Sequence, residues 1–300
     1  MDSSVLLHLL VEAGFKPQLI HINHGLSPQA ERWAAHAKQK AEYYQLACEV
    51  RCLSSRPSKG ESLEAWARTA RYEIFAECLR EGGTLVLAHH LDDQAETFLL
   101  QGLRGAGPKG LSSMAIKKPF GKGFLFRPLL SLSREELQAY AVVHQLSWVE
   151  DESNQNLKFK RNVLRHEILP LLKTHFPGCL STLSRSARLC AEETEVLNEC
   201  VQEKLALLVE RQTEGSHRFY FKREAFRLAS PLLQRQLLRA WIFSISAQAL
   251  NECHLKEIEK LLNAEHWGKS KFEVTANQVR LVFTREKEAL FSFALISDGY

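Results

Sequence analysis

At 300 residues, 45% hydrophobic and 25% charged, the chain has the make-up of an ordinary globular protein of about two domains, which excludes disorder, collagen-like repeats and fibrous arrays. Apolar runs such as 4–11 are too short for a membrane span of ~20 residues, no secretory signal is visible, and the seven scattered cysteines form no disulfide framework, so a reduced, cytoplasmic setting is expected. The net charge is only +4, yet residues 104–174 hold 12 Lys/Arg against 6 Asp/Glu, which suits either a polyanion-binding face or a plain solvated surface.

Asp2-Ser3-Ser4 ahead of Val5-Leu6-Leu7 reads as a capped helix start. Gln18–Asn23, Cys48–Leu53 and Thr84–His89 read as buried strands, and 27–45 and 61–80 between them carry helical spacing. This alternation predicts an α/β fold: a Rossmann-like parallel sheet with helices on both faces, binding ligands at the carboxyl ends of its strands. Residues 104–122 are rich in Gly and Lys without periodicity, so a long, mobile, substrate-facing loop is expected. A short helix follows over 133–145, opening on a near-capping-box, then a polar loop over 151–160. Residues 161–172 are helical as far as Pro170 permits. A long amphipathic helix covers 180–211, and the polar turn 212–216 leads into a small α+β domain. That domain has strands at 218–221, 272–274, 279–283 and 290–295 and helices at 231–247 and 252–263. The expected domains are therefore 1–174, a helical linker over 175–212, and 213–300.

The segment from Ala88 to Thr97, reading Ala-His-His-Leu-Asp-Asp-Gln-Ala-Glu-Thr, sits where a strand gives way to a helix. Its adjacent carboxylates, Asp92 and Asp93, can hold Mg2+, a cation of oxygen ligands. Alternatively, Asp93 and Glu96 cap the helix. His21-Ile22-Asn23-His24-Gly25 is a second strand end, where histidines can meet a phosphate or a base and glycine lets backbone approach closely. Glu64, Arg68, Arg71 and Tyr72 share one helical stripe, either as an intrahelical pair or with an arginine aimed at a phosphate. Arg161 and Arg165 stand one turn apart and can grip one anion, or pair with Glu150-Asp151-Glu152. There is no C-x-x-C, zinc-like cluster, G-x-x-x-x-G-K-[ST] loop or G-x-S-x-G elbow.

These segments follow one another in an order that resembles the tRNA(Ile)-lysidine synthetases, a branch of the PP-loop ATP-pyrophosphatase superfamily. The likeness runs through x-Asp-Ser-x-x-Leu-Leu (1–7), His-Ile-Asn-His-Gly-Leu (21–26), Glu-Ala-x-Ala-Arg-x-x-Arg-Tyr (64–72) and Ala-His-His-Leu-Asp-Asp-Gln-x-Glu-Thr (88–97). It continues through Arg-Gly-x-Gly-Pro-x-Gly-Leu (104–111), Arg-Pro-Leu-Leu (127–130), Asp-x-Ser-Asn (151–154) and Arg-Asn-x-x-Arg (161–165). Residues 180–300 look like the linker helix and first C-terminal domain, without the further domain of the long members. The resemblance implies a ligase that reads the isoleucine tRNA with a CAU anticodon. It would adenylate C2 of the wobble cytidine with ATP and let free L-lysine displace AMP, changing codon reading from AUG to AUA.

The same resemblance implies ATP and Mg2+, with Asp2, Asp92, Asp93, Arg161 and Arg165 as catalytic residues and Asp92 and Asp93 as metal ligands. Asp2, Ser3, His21, His24, Gly25, Arg68 and His89 would surround ATP, and Arg104, Lys109, Arg127 and Asn162 would meet tRNA. The 104–122 loop would close over the base. No membrane takes part, and a homodimer is compatible. The Ser-Gly-Gly that members carry ahead of x-Asp-Ser, and the strand before it, are not in this sequence, and such amides form an anion nest. Because the downstream motifs are intact, Met1 is expected to stand for the variable residue inside that loop. The chain as written is then expected to bind tRNA and to use ATP poorly. Two other readings stay open: a PP-loop tRNA thiolase, against which the missing C-x-x-C speaks, and a tRNA-binding protein that does not turn over ATP.

Overall fold

The alternation read from the sequence is realised as α1 (Asp2–Glu12), β1 (Leu19–Asn23), α2 (Ala30–Tyr43), β2 (Cys48–Cys52), α3 (Leu63–Cys78), β3 (Thr84–Val86) and α4 (Leu91–Leu103). The structure is a computed structural model that describes residues 1–25, 27–53, 63–149, 155–211, 218–246, 252–263, 271–276, 279–287 and 290–297. It divides into two units, Met1–Ala191 and Glu192–Tyr300.

In the first unit β1 runs parallel to β2, with His21 opposite Val50. The 104–122 segment is not the loop expected of it. It contains a short helix α5 (Pro108–Leu111) and a strand β4 (Lys117–Phe120), which pairs antiparallel with β5 (Gly123–Phe126). β5 in turn lies parallel to β3. A hairpin needs few residues of local periodicity, so Gly and Lys content masked it. Gly123 is obligatory here, because a Cβ would collide with the Gly83 carbonyl, which accepts from Phe124 N at 2.9 Å. Among the described residues the strands of this unit form two sheets, β1-β2 and β3-β5-β4, rather than one. Periodicity predicts that strands form, not which edges meet, and β2 is not the buried strand expected, since Arg51 and Cys52 are exposed. One apolar cluster still joins the two, since Ile22 of β1, Phe75 of α3, Leu85 of β3 and Leu125 of β5 are buried together.

Next come α6 (Arg134–Val143), α7 (Lys160–Val163), a π-helical turn Leu164–Ile168, α8 (Leu169–His175) and α9 (Cys179–Leu208). α6 is capped as its sequence suggests: Ser133 Oγ accepts from Glu136 N at 3.1 Å, and Ser133 N donates to Glu136 Oε2 at 2.7 Å. Pro170 does not end the helical path as expected. It lies within the first turn of α8, where a missing N–H is tolerated, and the wide turn before it absorbs the lost bond. α1 packs on α6 through Val5, Leu6, Leu137 and Ala141. α4 packs on α8 and the start of α9 through Ala95, Leu169 and Leu180.

The second unit is α+β. β6 (Val209–Arg211), β7 (Arg218–Lys222), β8 (Lys271–Ala276), β9 (Val279–Lys287) and β10 (Leu290–Ser297) form an antiparallel sheet in the order β6-β7-β10-β9-β8. The last three residues expected to belong to the long helix are β6 instead, pairing with β7. Helices α10 (Arg223–Arg227), α11 (Pro231–Ser246) and α12 (Glu252–Asn263) bury Phe226, Leu237, Leu238, Trp241, Ile242 and Leu255 with the end of α9.

Candidate active site

α4 begins where β3 ends, and its first turn carries the charge. His90 is the N-cap, and its N–H donates to Asp93 Oδ2 at 3.1 Å. The capping partner of Asp93 is therefore His90, not Glu96. Glu96 is fully buried and accepts from Arg161 Nε (2.6 Å), Arg165 Nε (2.6 Å) and Arg165 Nη2 (3.0 Å). Both guanidinium groups also reach Asp93 Oδ1, at 2.9 and 3.0 Å. Two arginines thus share two carboxylates in a charge-assisted lattice. The acidic patch 150–152 weighed as their partner lies outside the described residues.

Asp92 is held separately. Lys173 Nζ donates to its Oδ1 at 3.0 Å and Arg134 N to its Oδ2 at 2.8 Å. Lys173 also binds Glu135 Oε1 at 2.8 Å. Every carboxylate oxygen of Asp92 and Asp93 therefore already accepts from a protein donor. Asp92 Oδ2 and Asp93 Oδ2 accept only from backbone N–H groups and keep a second lone pair, so these donors do not by themselves bar the metal-ligand role expected of the pair. No group of three His, Cys, Asp or Glu suited to a metal occurs among the described residues.

Asp2 heads α1 without serving as the cap expected there, for Met1 is the N-cap and no side chain bonds to it. Instead Asp2 Oδ2 lies 3.8 Å from His90 Nε2. Its Oδ1 is buried with no hydrogen-bond partner among the described residues. Burial opposes charging of His90, but Asp92, Asp93 and Asp2 around it outweigh that and raise its pKa. Burial likewise works against ionised Asp92 and Asp93. His90, the Arg134 amide and Lys173 nevertheless hold Asp92 far below the usual carboxylate range, and His90 and Arg161 depress Asp93.

A second, cationic group borders the first. Arg127 is buried, donates through Nε to His89 Nδ1 at 3.2 Å and through Nη1 to Ala115 O at 2.7 Å. Burial, reinforced by Arg127, Arg161 and Arg68, pushes the His89 pKa down to about 3. On α3, Arg68 and Arg71 lie over the Tyr72 ring at 5.3 and 5.9 Å. Burial lowers the Arg71 pKa, and its Nε has no hydrogen-bond partner among the described residues. At the end of β1, Gly25 adopts φ +64 and donates to Asn23 Oδ1 at 2.8 Å. A Cβ there would meet nothing within 4 Å, so the left-handed turn, not close approach, calls for glycine. His21 Nε2 is buried and unpartnered among the described residues, and burial lowers the His21 pKa. His24 is partly buried beside it.

Asp2, Asp92, Asp93, Arg161 and Arg165 are thus gathered into one cluster, and His89 and Arg127 into its neighbour. Ser3, Arg68, Arg104 and Lys109 are exposed. Arg127 and Asn162, expected on tRNA, are buried, and Asn162 Nδ2 donates to Asn156 O at 3.0 Å. Sequence reasoning missed Lys173 and Gln94. Gln94 Nε2 donates to Met114 O at 3.1 Å and its Oε1 accepts from Met114 N at 3.0 Å, so the segment expected to move is tied to α4. Neither residue has a local signal, because its partner lies 20 to 81 positions away.

An α/β unit with its charged side chains collected at helix starts beyond the strands is the architecture of a nucleotide-handling enzyme. The chain belongs to the PP-loop domain family, which matches residues 1–172. Along its length it is similar to curated tRNA(Ile)-lysidine synthases. The one from Pectobacterium atrosepticum is 45% identical over 246 residues, 81% of this chain and 54% of that relative. Those of Coxiella burnetii and Yersinia pestis are 39% and 41% identical over 93% and 100% of this chain, and 62% and 65% of the relatives. The chain thus spans about half to two thirds of their length. A solved structure, the U34-tRNA thiolase NcsA from Methanococcus maripaludis with its [4Fe-4S] cluster, superposes with a TM-score of 0.51. It is 21% identical and the match covers 63% of this chain and 69% of that one, a likeness of fold alone.

Proposed function

We propose that this chain is a tRNA(Ile)-lysidine synthase, a cytoplasmic ATP-dependent ligase acting on tRNA(Ile) with a CAU anticodon and free L-lysine. The observation that carries the reading is the unpartnered Arg71 Nε in a group of cations, on a chain similar to such synthases over 81–100% of its length. A buried guanidinium N–H without an acceptor is costly, and a phosphate repairs it. Arg71, with Arg68 and the cationic surroundings of His89, would hold the ATP phosphates. The cytidine C2 oxygen attacks the α-phosphorus and diphosphate leaves. The lysine amine then forms a bond to C2, the C2–O bond breaks, and AMP departs as the amine gives up a proton. Arg161 and Arg165, locked to Asp93 and Glu96, keep the floor of the site rigid, so that charge developing on phosphate meets fixed partners. ATP implies a divalent cation that arrives with its phosphates, and no step is assigned to one on Asp92 and Asp93.

Sulfur transfer gains no support. Cys48 and Cys52 lie four positions apart on β2, roughly 13 Å at ~3.3 Å per residue, and burial raises the Cys48 thiol pKa. The test supplies ATP, labelled lysine and tRNA(Ile) transcripts with cytidine or uridine at the wobble position. Label entering only the cytidine transcript, however slowly, is the expected result. Absence of label with ATP consumed, or label in both transcripts, overturns the assignment.

A further inference from the structure

The C-terminal halves of α1 and α2 and the turn after α6 line one cavity with residues that take no part in the charged cluster. Its volume is about 450 Å3, within the ~300–1,000 Å3 usual for small-ligand sites. Its lining is polar and aromatic, unlike a packing defect, which would be apolar and dry. Lys40 projects from α2 and forms no ion pair among the described residues, although Glu12 lines the same cavity. Burial lowers the Lys40 pKa, and burial with Lys40 beside it lowers that of His36. An anion would relieve both.

One wall carries the rings of His8 and His144, backed by Tyr140. Tyr140 Oη meets His8 Nδ1 at 2.9 Å, His144 stacks on Tyr140 at 4.1 Å between centroids, and His8 lies 4.9 Å from His144. Beside them Tyr44 holds Tyr43 edge-on at 4.8 Å, and Tyr43 is 78% exposed, a free aromatic face at the rim. The turn after α6 adds a third feature. Gln145 sits at φ +51 just past the helix, while Leu146 N closes back to Ala141 O at 2.9 Å. Glycine is the usual residue at such a position. A side chain there is strained, and this one lines the cavity. The same turn ends α2, where Gln45 sits at φ +54, so what sets Gln145 apart is its place in the cavity lining. The helix C-termini bring partial negative charge, but their effect fades within a turn, whereas Lys40 carries a full charge at the cavity itself.

We infer that this cavity is a second nucleotide-binding site, sharing no residue with the charged cluster, taking one nucleoside monophosphate unit: phosphate on Lys40, base on the Tyr43 face, base edge on Gln145. The unit comes either from a free nucleotide or from an unstacked nucleotide of bound RNA, since aromatic stacking tolerates every base. The probes are uridine 5′-monophosphate, titrated calorimetrically, and the CAU transcript, titrated by filter binding. Lys40→Gln and Gln145→Gly should each weaken uridine monophosphate binding about tenfold. Arg71→Ala should not, because it belongs to the other site. Gln145→Gly should leave the melting temperature equal or higher, which separates lost binding from lost folding. Transcript affinity falling in parallel assigns the unit to RNA, and transcript affinity unchanged assigns it to a free nucleotide. Binding that is absent, or abolished by Arg71→Ala while the cavity variants retain it, overturns the inference. None of these readouts depends on lysine transfer.

Discussion

Glu96 shows what a single buried carboxylate does here. It is fully buried, and its two oxygens meet three donors from Arg161 and Arg165. Glu96→Ala leaves two part-buried guanidinium groups with Asp93 Oδ1 as their one shared acceptor among the described residues and should cost up to about 3–5 kcal/mol, read as a lower midpoint in urea denaturation. A loss under about 1 kcal/mol would mean that water replaces the carboxylate freely. His89 carries a pH dependence. Its folded value lies near 3, against an ordinary ~6.5. Between these values the unfolded chain binds a proton that the folded chain refuses. The contribution to stability is therefore complete above about pH 6.5 and is lost as pH falls toward 3. His89→Gln keeps an acceptor for Arg127 and should flatten the decline in unfolding free energy between pH 6.5 and 4.5. An unchanged slope would show that His89 is free to charge in the folded state.

At the scale of elements, α6 owes its entry to Ser133, whose side chain and backbone close a reciprocal cap with Glu136. Ser133→Ala should cost about 1 kcal/mol. Because the next amide, Arg134 N, is a ligand of Asp92, the variant should also speed exchange of that amide with deuterium. The link between α4 and the segment before β4 rests on Gln94, which satisfies both the N–H and the carbonyl of Met114. Gln94→Ala should open 104–116 to limited proteolysis and cost about 1–3 kcal/mol. Resistance equal to the parent chain would place the anchor in Arg127 Nη1 and Ala115 O alone.

For the whole molecule, the division at 191/192 leaves each unit its own apolar centre. Leu238→Ala, at a site with no exposure, should destabilise the second unit by about 2–5 kcal/mol. In hydrogen exchange the loss should appear in α11 and α12. An equal loss in α4 would show that the two units unfold as one. The basic surplus of residues 104–174 also changes meaning at this scale. Arg161, Arg165 and Lys173 neutralise Asp92, Asp93 and Glu96, and Arg127 holds His89. Part of that excess is consumed inside the protein, while Arg104 and Lys109 stay exposed.

Short-range order decides what a sequence can announce. Helical spacing, the Ser133 cap and the short runs at 19–23 and 48–52 between helical segments act over a few residues, so α2, α6, β1 and β2 are legible in the amino-acid order itself. So is the grouping of His90, Asp92 and Asp93 at a helix start. What the tertiary structure alone decided is who faces whom. That β1 pairs with β2 and β3 with β5, that Arg161 and Arg165 meet Asp93 and Glu96, and that Lys173 meets Asp92 are contacts across roughly 29 to 81 positions. Asp93 had two chemically equal readings in the sequence, cation ligand or helix cap, and Glu96 one, as the partner of that cap. Only packing, by burying Glu96 and bringing α8 against α4, gave these carboxylates and Asp92 their arginine and lysine partners.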